Sequence, residues 1–317
     1  MNITNWFRFP PSADPARLDA YLSDAAMAEL RRAGFTFVRL PVQPAFFAAP
    51  RLLRAIQRLR AADLAVVVSL APHDWALEHS ARDRAALLRL WAGLAPALRH
   101  IDRDRIFPDI LNEPVFTGRT ADWTALQNEA LRTIRAAWPE ATVILTGANW
   151  GGIDGLRDLA VPADPNIVIS IHVYDPQVLT TLAAFEPNLD RSALAALPFP
   201  VRDPTGCAIG TGRTRDVATF YCAQNWDEAR LVARINQAAT WARQHDVAIL
   251  VGEFGAADRL NPPARLAWLS ATRQAFEAAR FGWALWGLDD PMGFHLPRPV
   301  PALPVLDVTV LRALGLH

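Results

Sequence analysis

The stretch Ile106–Pro114, IFPDILNEP, decides the reading of this chain. It runs from apolar residues into Asn112-Glu113-Pro114. The apolar run reads as a buried strand, and Pro114 is expected to stop it. That leaves Glu113 at the strand's carboxyl end. A second stretch has the same form: Val247–Gly255, VAILVGEFG, with Glu253 near its end. Two carboxylic acids at strand ends on one rim are the equipment for acid–base and nucleophilic work.

Working outward, short apolar runs alternate with amphipathic helical stretches. The expected strands are Asn2–Phe7, Phe35–Pro41 (FTFVRLP), Ala65–Leu70 (AVVVSL), Ile106–Pro114, Thr142–Thr146, Asn166–Tyr174 (NIVISIHVY), Val247–Gly255 and Phe281–Trp286 (FGWALW). Helices are expected between them, including 24–34, 51–62, 82–99, 123–138, 226–245 and 262–279. Eight near-continuously apolar strands alternating with helices predict an α/β fold of the closed parallel (β/α)8 kind, a TIM barrel. An open doubly wound sheet would carry a glycine-rich first turn, and none is present. The length of 317 residues suits one such barrel spanning 1–317, with no shift in composition to mark a boundary. The segment 175–225, rich in Pro, Gly and Thr, is expected as a long irregular insertion over the rim.

Composition excludes several function classes. Charged residues balance, with 32 cationic and 32 acidic, so no basic field awaits nucleic acid. Every cation is arginine, which excludes Schiff-base and P-loop chemistry. No apolar run is long enough to span a membrane, and MNITNWFRFPP has no signal-peptide pattern. Cys207 and Cys222 are too far apart for a CxxC site and too few for a zinc cage. Both lie in the insertion, where a disulfide would close a loop worth roughly 3 kcal/mol and favour an oxidising compartment.

In a (β/α)8 barrel the active site sits at the strands' carboxyl ends. The polar residues there are Arg39, His73, Asn112, Glu113, His172, Tyr174, Glu253 and Trp286. A lone Asn-Glu-Pro is weak, since a strand-end glutamate is more often solvated. Convergence of two glutamates with six partners is the stronger sign. A retaining glycosidase needs one protonated carboxyl and one carboxylate about 5 to 5.5 Å apart. Glu113 fits the acid/base and Glu253 the nucleophile. Arg39 would hold Glu253 ionised, Tyr174 would orient it, and Asn112 would meet a sugar 2-hydroxyl.

His73 and His172 read as sugar or carboxylate partners. With Asp175 they match no metal-ligand spacing, and the His-x-His of amidohydrolase barrels is missing, so neither metal nor cofactor is expected. Tryptophans at strand ends stack on sugar rings. Trp286 is the first candidate, followed by Trp75 and Trp150, with Trp6 weaker. Trp91, Trp123, Trp138, Trp241 and Trp268 fall within helices and read as core. Asp289, Asp290, Phe294 and His295 either line a subsite or, for the aspartates, cap and solvate a loop.

With these residues in place, the chain resembles glycoside hydrolase family 5, the cellulase family, over about Asn5 to Asp290. That family carries its acid/base after strand four in an Asn-Glu-Pro and its nucleophile after strand seven. Its eight characteristic active-site positions fall here on Arg39, His73, Asn112, Glu113, His172, Tyr174, Glu253 and Trp286. The chain departs in beginning almost inside its first strand and in its long insertion. The resemblance implies a retaining glycoside hydrolase acting on a polysaccharide or oligosaccharide, with endo-acting β-1,4-glucan cleavage foremost. Exo-acting β-glucosidase, β-1,3-glucanase, mannanase, exopolysaccharide or glycolipid hydrolase and transglycosylase are alternatives, because loops set the substrate. A non-catalytic polysaccharide-binding barrel is the alternative from another class. A monomer is expected. Substrate logic points to a secreted or periplasmic protein, with the cytoplasm as the alternative.

Overall fold

The computed structural model describes residues 1–47 and 49–317. Its centre is one parallel sheet of seven strands in sequential order. These are β1 (Phe37–Val42), β2 (Ala65–Leu70), β3 (Ile106–Asp109), β4 (Val143–Thr146), β5 (Ile167–Val173), β6 (Ala248–Phe254) and β7 (Gly282–Leu285). They are the second to eighth of the expected strands. The expected first strand is reduced to an isolated parallel bridge between Asn2 and Arg39. Residues 1–3 still fill the gap between the edges. Asn2 N donates to Leu285 O at 2.9 Å, and Ile3 N donates to Arg39 O at 3.1 Å. From Thr4 the chain turns away, because Asp289 accepts from Thr4 N at 3.0 Å and Asn5 N at 2.9 Å. Those backbone groups are therefore not free for a ladder.

Parallel pairing buries both faces of each strand, which explains their near-continuous apolar character. Val38, Leu40, Val66, Val68, Ile169 and Val251 have no exposed surface. Helices cover the outside. The helix Ala81–Ile101 brings Trp91, whose Nε1 donates to Ile110 O at 2.9 Å. Thr120–Ala137 brings Trp123, which donates to Thr146 O at 2.8 Å, and Pro262–Ala278 brings Trp268, which donates to Asp175 O at 3.0 Å. These three buried indoles are core residues as expected, and each also satisfies a carbonyl at or just past a strand's carboxyl end. Trp6 is core too, with its Nε1 bonded to Leu18 O. Trp241 is only half-buried, stacked on His245.

The insertion is more ordered than expected. It holds short helices at Gln177–Thr180 and Arg191–Leu194 and a twelve-residue helix at Gly212–Ala223. Cys207 and Cys222 form a disulfide with Cα atoms 6.1 Å apart, tying that helix to the turn before it. Among the described residues no helix is long and apolar enough to cross a membrane.

Candidate active site

Strand β3 ends at Asp109, five residues before Pro114, so the proline does not stop it. Pairing continues one bond at a time. Ile110 N donates to Ile144 O at 3.2 Å and Asn112 N to Leu70 O at 2.8 Å. The chain then breaks sharply, with Glu113 in the left-handed region at φ 47°. A residue with a Cβ adopts that conformation at a cost of about 1–3 kcal/mol, and such strain gathers at functional sites. On the opposite wall, the register of β5 against β6 shifts between Ile171 and His172, which sets His172 opposite Glu253. A bulge of this kind re-aims side chains. Gly252 makes room, since a Cβ there would meet Ser170 Oγ at 2.5 Å and His172 Nε2 at 3.3 Å.

Arg39 is the anchor, 1% exposed. It donates to Glu253 Oε1 at 2.7 Å, Asp109 Oδ2 at 3.0 Å, Asn112 Oδ1 at 2.9 Å, Ser69 Oγ at 3.1 Å and Asn2 Oδ1 at 3.2 Å. Burial works against its charge, and Asp109 and Glu253 outweigh that, so the guanidinium is held more firmly protonated than usual. The other Glu253 oxygen accepts from Tyr174 Oη at 2.9 Å. Burial, then the nearby Glu253 and Glu113 charges, push that phenol far up, so it stays a donor.

His172 Nδ1 sits between the two acids, 3.0 Å from Glu113 Oε1 and 3.4 Å from Glu253 Oε2. Asn112 Nδ2 donates to Glu113 Oε2 at 3.4 Å. Burial raises the Glu113 carboxyl. The His172 hydrogen bond, with the charges of His172, Arg8 and Arg39, overcomes this and leaves it below the ordinary glutamate value. Its carboxyl is thus held between His172 and Asn112, with the effect of burial opposed by the neighbouring charges. The ligating atoms of Glu113, His172 and Glu253 all lie within 4.8 Å of one another. Glu253 already has Arg39 on one oxygen and Tyr174 on the other, so a cation there would face a guanidinium and displace a hydrogen bond. The donor set suits an organic substrate better than a metal.

Six expected residues thus meet: Arg39, Asn112, Glu113, His172, Tyr174 and Glu253. Trp286 follows β7 but is only 8% exposed, with the Arg8 guanidinium 5.3 Å from its ring centroid. His73 is exposed, packs edge-on against Phe9 at 5.8 Å and hydrogen-bonds neither glutamate. Trp75 is half-buried against the core. Trp150 is 54% exposed and lines a cavity with Glu113. Asp289 is structural, accepting also from Tyr21 Oη at 2.5 Å, and His295 pairs with Asp258 at 2.6 Å. Phe294 packs on Phe35, and Asp290 caps Met292 N.

Sequence reasoning missed Asp109, Ser69 and Asn2 beneath Arg39, and Arg8 at the mouth. A charged Asp109 inside the run IFPDIL was a usable signal, because a buried carboxylate needs a cation.

Solved structures of known proteins share the fold. Cel5A of Thermotoga maritima, solved with mannotriose, superimposes with a TM-score of 0.79 at 24% identity, over 99% of this chain and 96% of that one. The cellulose synthase subunit Z of Clostridioides difficile gives 0.75 at 24% identity over 92% of each chain. Endoglucanase 3 of Fibrobacter succinogenes is 24% identical over 212 residues, 62% of this chain and 32% of that protein. The cellulase/esterase CelE of Acetivibrio thermocellus is 25% identical over 232 residues, 68% of this chain and 24% of that protein. The chain therefore spans a third or less of these two curated relatives. Across its own length, the family model described as cellulase (glycosyl hydrolase family 5) matches residues 4–289, with both glutamates and Arg39 inside the match, and to that family this chain belongs.

Proposed function

We propose that the protein is a retaining glycosidase that cuts internal β-1,4 links of a glucan by double displacement. The observation that carries the reading is the approach of Glu113 and Glu253 oxygens to within 4.8 Å. An inverting pair stands about 6.5–9.5 Å apart, to admit a water between acid and base. The endoglucanase names of the curated relatives favour the glucan.

Glu253, ionised beside Arg39, attacks the anomeric carbon. Glu113 delivers a proton to the departing oxygen. His172 Nδ1, 3.0 Å from Glu113 Oε1, orients that carboxyl. A sugar filling the site excludes water and strengthens the burial effect, which already is the largest influence on Glu113. Burial so strengthened favours the protonated carboxyl of Glu113 for the first step. Once Glu253 is esterified, Glu113 returns as a carboxylate and takes a proton from the attacking water. Arg39 and Tyr174 receive the released Glu253 carboxylate. The same reading implies work outside the cytoplasm, where polysaccharide is met and the disulfide persists.

The test is the anomeric form of the first product from a soluble β-glucan, followed by proton NMR. The β-anomer is expected first, and the α-anomer would overturn the retaining assignment. A 2-deoxy-2-fluoro glycoside with a good leaving group is expected to label Glu253, and a label elsewhere would overturn its role.

A further inference from the structure

The indole of Trp286, the first candidate for a sugar platform, is covered. It is 8% exposed, and the Arg8 guanidinium lies over its ring, 5.3 Å from the centroid. The same guanidinium lies 4.9 Å from the centroid of Phe9, which His73 meets edge-on. The backbone that carries Arg8 is pinned. Gln43, just past β1, donates from Nε2 to Arg8 O and from its backbone N to Phe7 O. Asp289 holds Thr4 N and Asn5 N a few residues earlier. At this end of the mouth the group offered to a sugar is therefore a guanidinium rather than an indole.

Stacking on aromatic rings uses the face of a guanidinium and leaves its N–H edge available. Arg8 is half-buried, and that edge meets no acceptor among the described residues. Every other arginine that is buried or half-buried hydrogen-bonds or ion-pairs through its side chain. A planar cation already fixed by two rings loses little further freedom on binding, and its fork matches a planar carboxylate through two parallel bonds. A neutral sugar offers it only hydroxyl oxygens, whose bonds are roughly half as strong.

The acids around the mouth leave that edge open. Glu253 holds Arg39 and Tyr174, and Glu113 holds His172 and Asn112. Asp289 is wholly buried on Thr4 N, Asn5 N and Tyr21 Oη. Asp290 accepts from Met292 N, and Asp74 is exposed beside His73. None of them pairs with Arg8. Burial, with the Asp289 and Glu253 charges, raises Asp290, which weakens its repulsion of an incoming anion. The other end of the mouth differs. In the cavity lined by Glu113, Trp150, His172 and Phe185, Arg234 donates to Asp154 through two bonds of 2.8 Å and lies 3.6 Å from Asp175. Its fork is occupied, so the open guanidinium is at the Trp286 end alone.

We propose that Arg8 is a substrate-binding residue and that the substrate is an acidic β-glucan, with a carboxylate on the sugar that Glu253 takes or on the sugar next to it. The proposal rests on the glycosidase reading above and adds to it the charge of the chain that is cut. With the leaving oxygen at Glu113, the sugar on Glu253 extends away from the departing one, toward Trp286, which follows β7 beside β6.

The experiment compares kcat/KM on a soluble β-1,4-glucan and on the same glucan partly oxidised to uronate at its primary alcohols. The oxidised glucan is expected to be cut about tenfold better, the scale of one charge-assisted bidentate contact. Mass spectrometry of products tagged by borodeuteride reduction is expected to place uronate at or next to the new reducing end. Salt added to the wild type is expected to erode the preference, which tests the point without a variant. Arg8→Met is expected to abolish the preference. Its effect on Glu113 acts on both substrates and cancels in the ratio. Arg8→Lys keeps the charge without the fork and is expected to retain part of it. Arg280→Met, exposed at the foot of β7 on the opposite end of the barrel, is expected to leave the ratio unchanged. A neutral glucan cut as fast as the oxidised one, a preference equal in wild type and Arg8→Met, or uronate confined to the departing fragment would overturn the proposal while leaving the glycosidase reading intact. No cleavage of either glucan or of an activated aryl glycoside would overturn both.

Discussion

The Arg39 guanidinium lies 2.7 Å from Glu253 Oε1, with both side chains almost wholly buried. The same guanidinium reaches Asp109 at 3.0 Å, so one cation neutralises two buried carboxylates. Truncating it strands both. Arg39→Met is expected to lower unfolding free energy by about 3–5 kcal/mol, the usual cost of breaking a buried pair. Arg39→Lys keeps the charge but cannot span five acceptors, and its loss should be smaller. Urea unfolding of the three proteins measures this. A loss below about 1 kcal/mol for the methionine variant would mean that the buried network contributes little to folding.

Glu113 also has a distinct kinetic signature. Glu113→Gln keeps the shape and the Asn112 contact but has no proton to give or take. Loss of general acid–base help costs about 10²–10⁴ in rate. The first step suffers in proportion to how badly the leaving group needs a proton. Turnover of a natural glucan should fall by that factor, while an activated dinitrophenyl glycoside should lose much less in kcat/KM. Equal losses on both substrates would argue against an acid on the leaving oxygen.

Why six of the eight expected rim residues share one hydrogen-bonded cluster, and two stand outside it, has a physical basis. Arg39, Asn112, Glu113, His172, Tyr174 and Glu253 sit on or within four residues of strand ends, where strand geometry fixes direction. His73 and Trp286 occupy the same kind of position, but their neighbours are supplied by Phe9 and Arg8, just past the stretch Asn2–Phe7 expected as the first strand. The stretch Asn2–Phe7 left the sheet because Asp289, far along the chain, accepts from Thr4 and Asn5. No local pattern reports such a contact. The helix Gly212–Ala223 was different. Its buried residues Thr214, Val217, Ala218, Tyr221 and Cys222 recur at helical spacing, and the Pro, Gly and Thr around them masked the period.

Arg8 offers a pH test. Burial raises Glu113, whereas the His172 hydrogen bond and then the His172, Arg8 and Arg39 charges lower it, with a net lowering. Removing Arg8 removes one lowering influence, so Glu113 rises in Arg8→Met. The reaction needs Glu113 protonated in its first step, so the basic limb of the kcat/KM profile should move to higher pH. Added salt should shrink the displacement, because a half-buried charge at the mouth is screened. A basic limb that stays put at low ionic strength, or moves to lower pH, would contradict the assignment of that limb to Glu113.

The disulfide gives a prediction that separates stability from substrate handling. Cys207 and Cys222 are 15 residues apart in sequence, and cross-linking a loop of that length stabilises by about 3 kcal/mol in the chain-entropy account. The closed loop carries Arg213, which pairs with Glu186 at 2.5 Å, immediately after Phe185. Replacing both cysteines by serine should therefore loosen the insertion more than the barrel. Chemical unfolding should lose up to about 3 kcal/mol, and limited proteolysis should cut within 175–225 before the strands. Turnover of an aryl glycoside, which engages Glu113 and Glu253 with little reach into the cavity, should change less than turnover of a long glucan. Cleavage first in the barrel, with both substrates equally affected, would mean that the bridge supports the whole fold rather than the wall that carries Phe185.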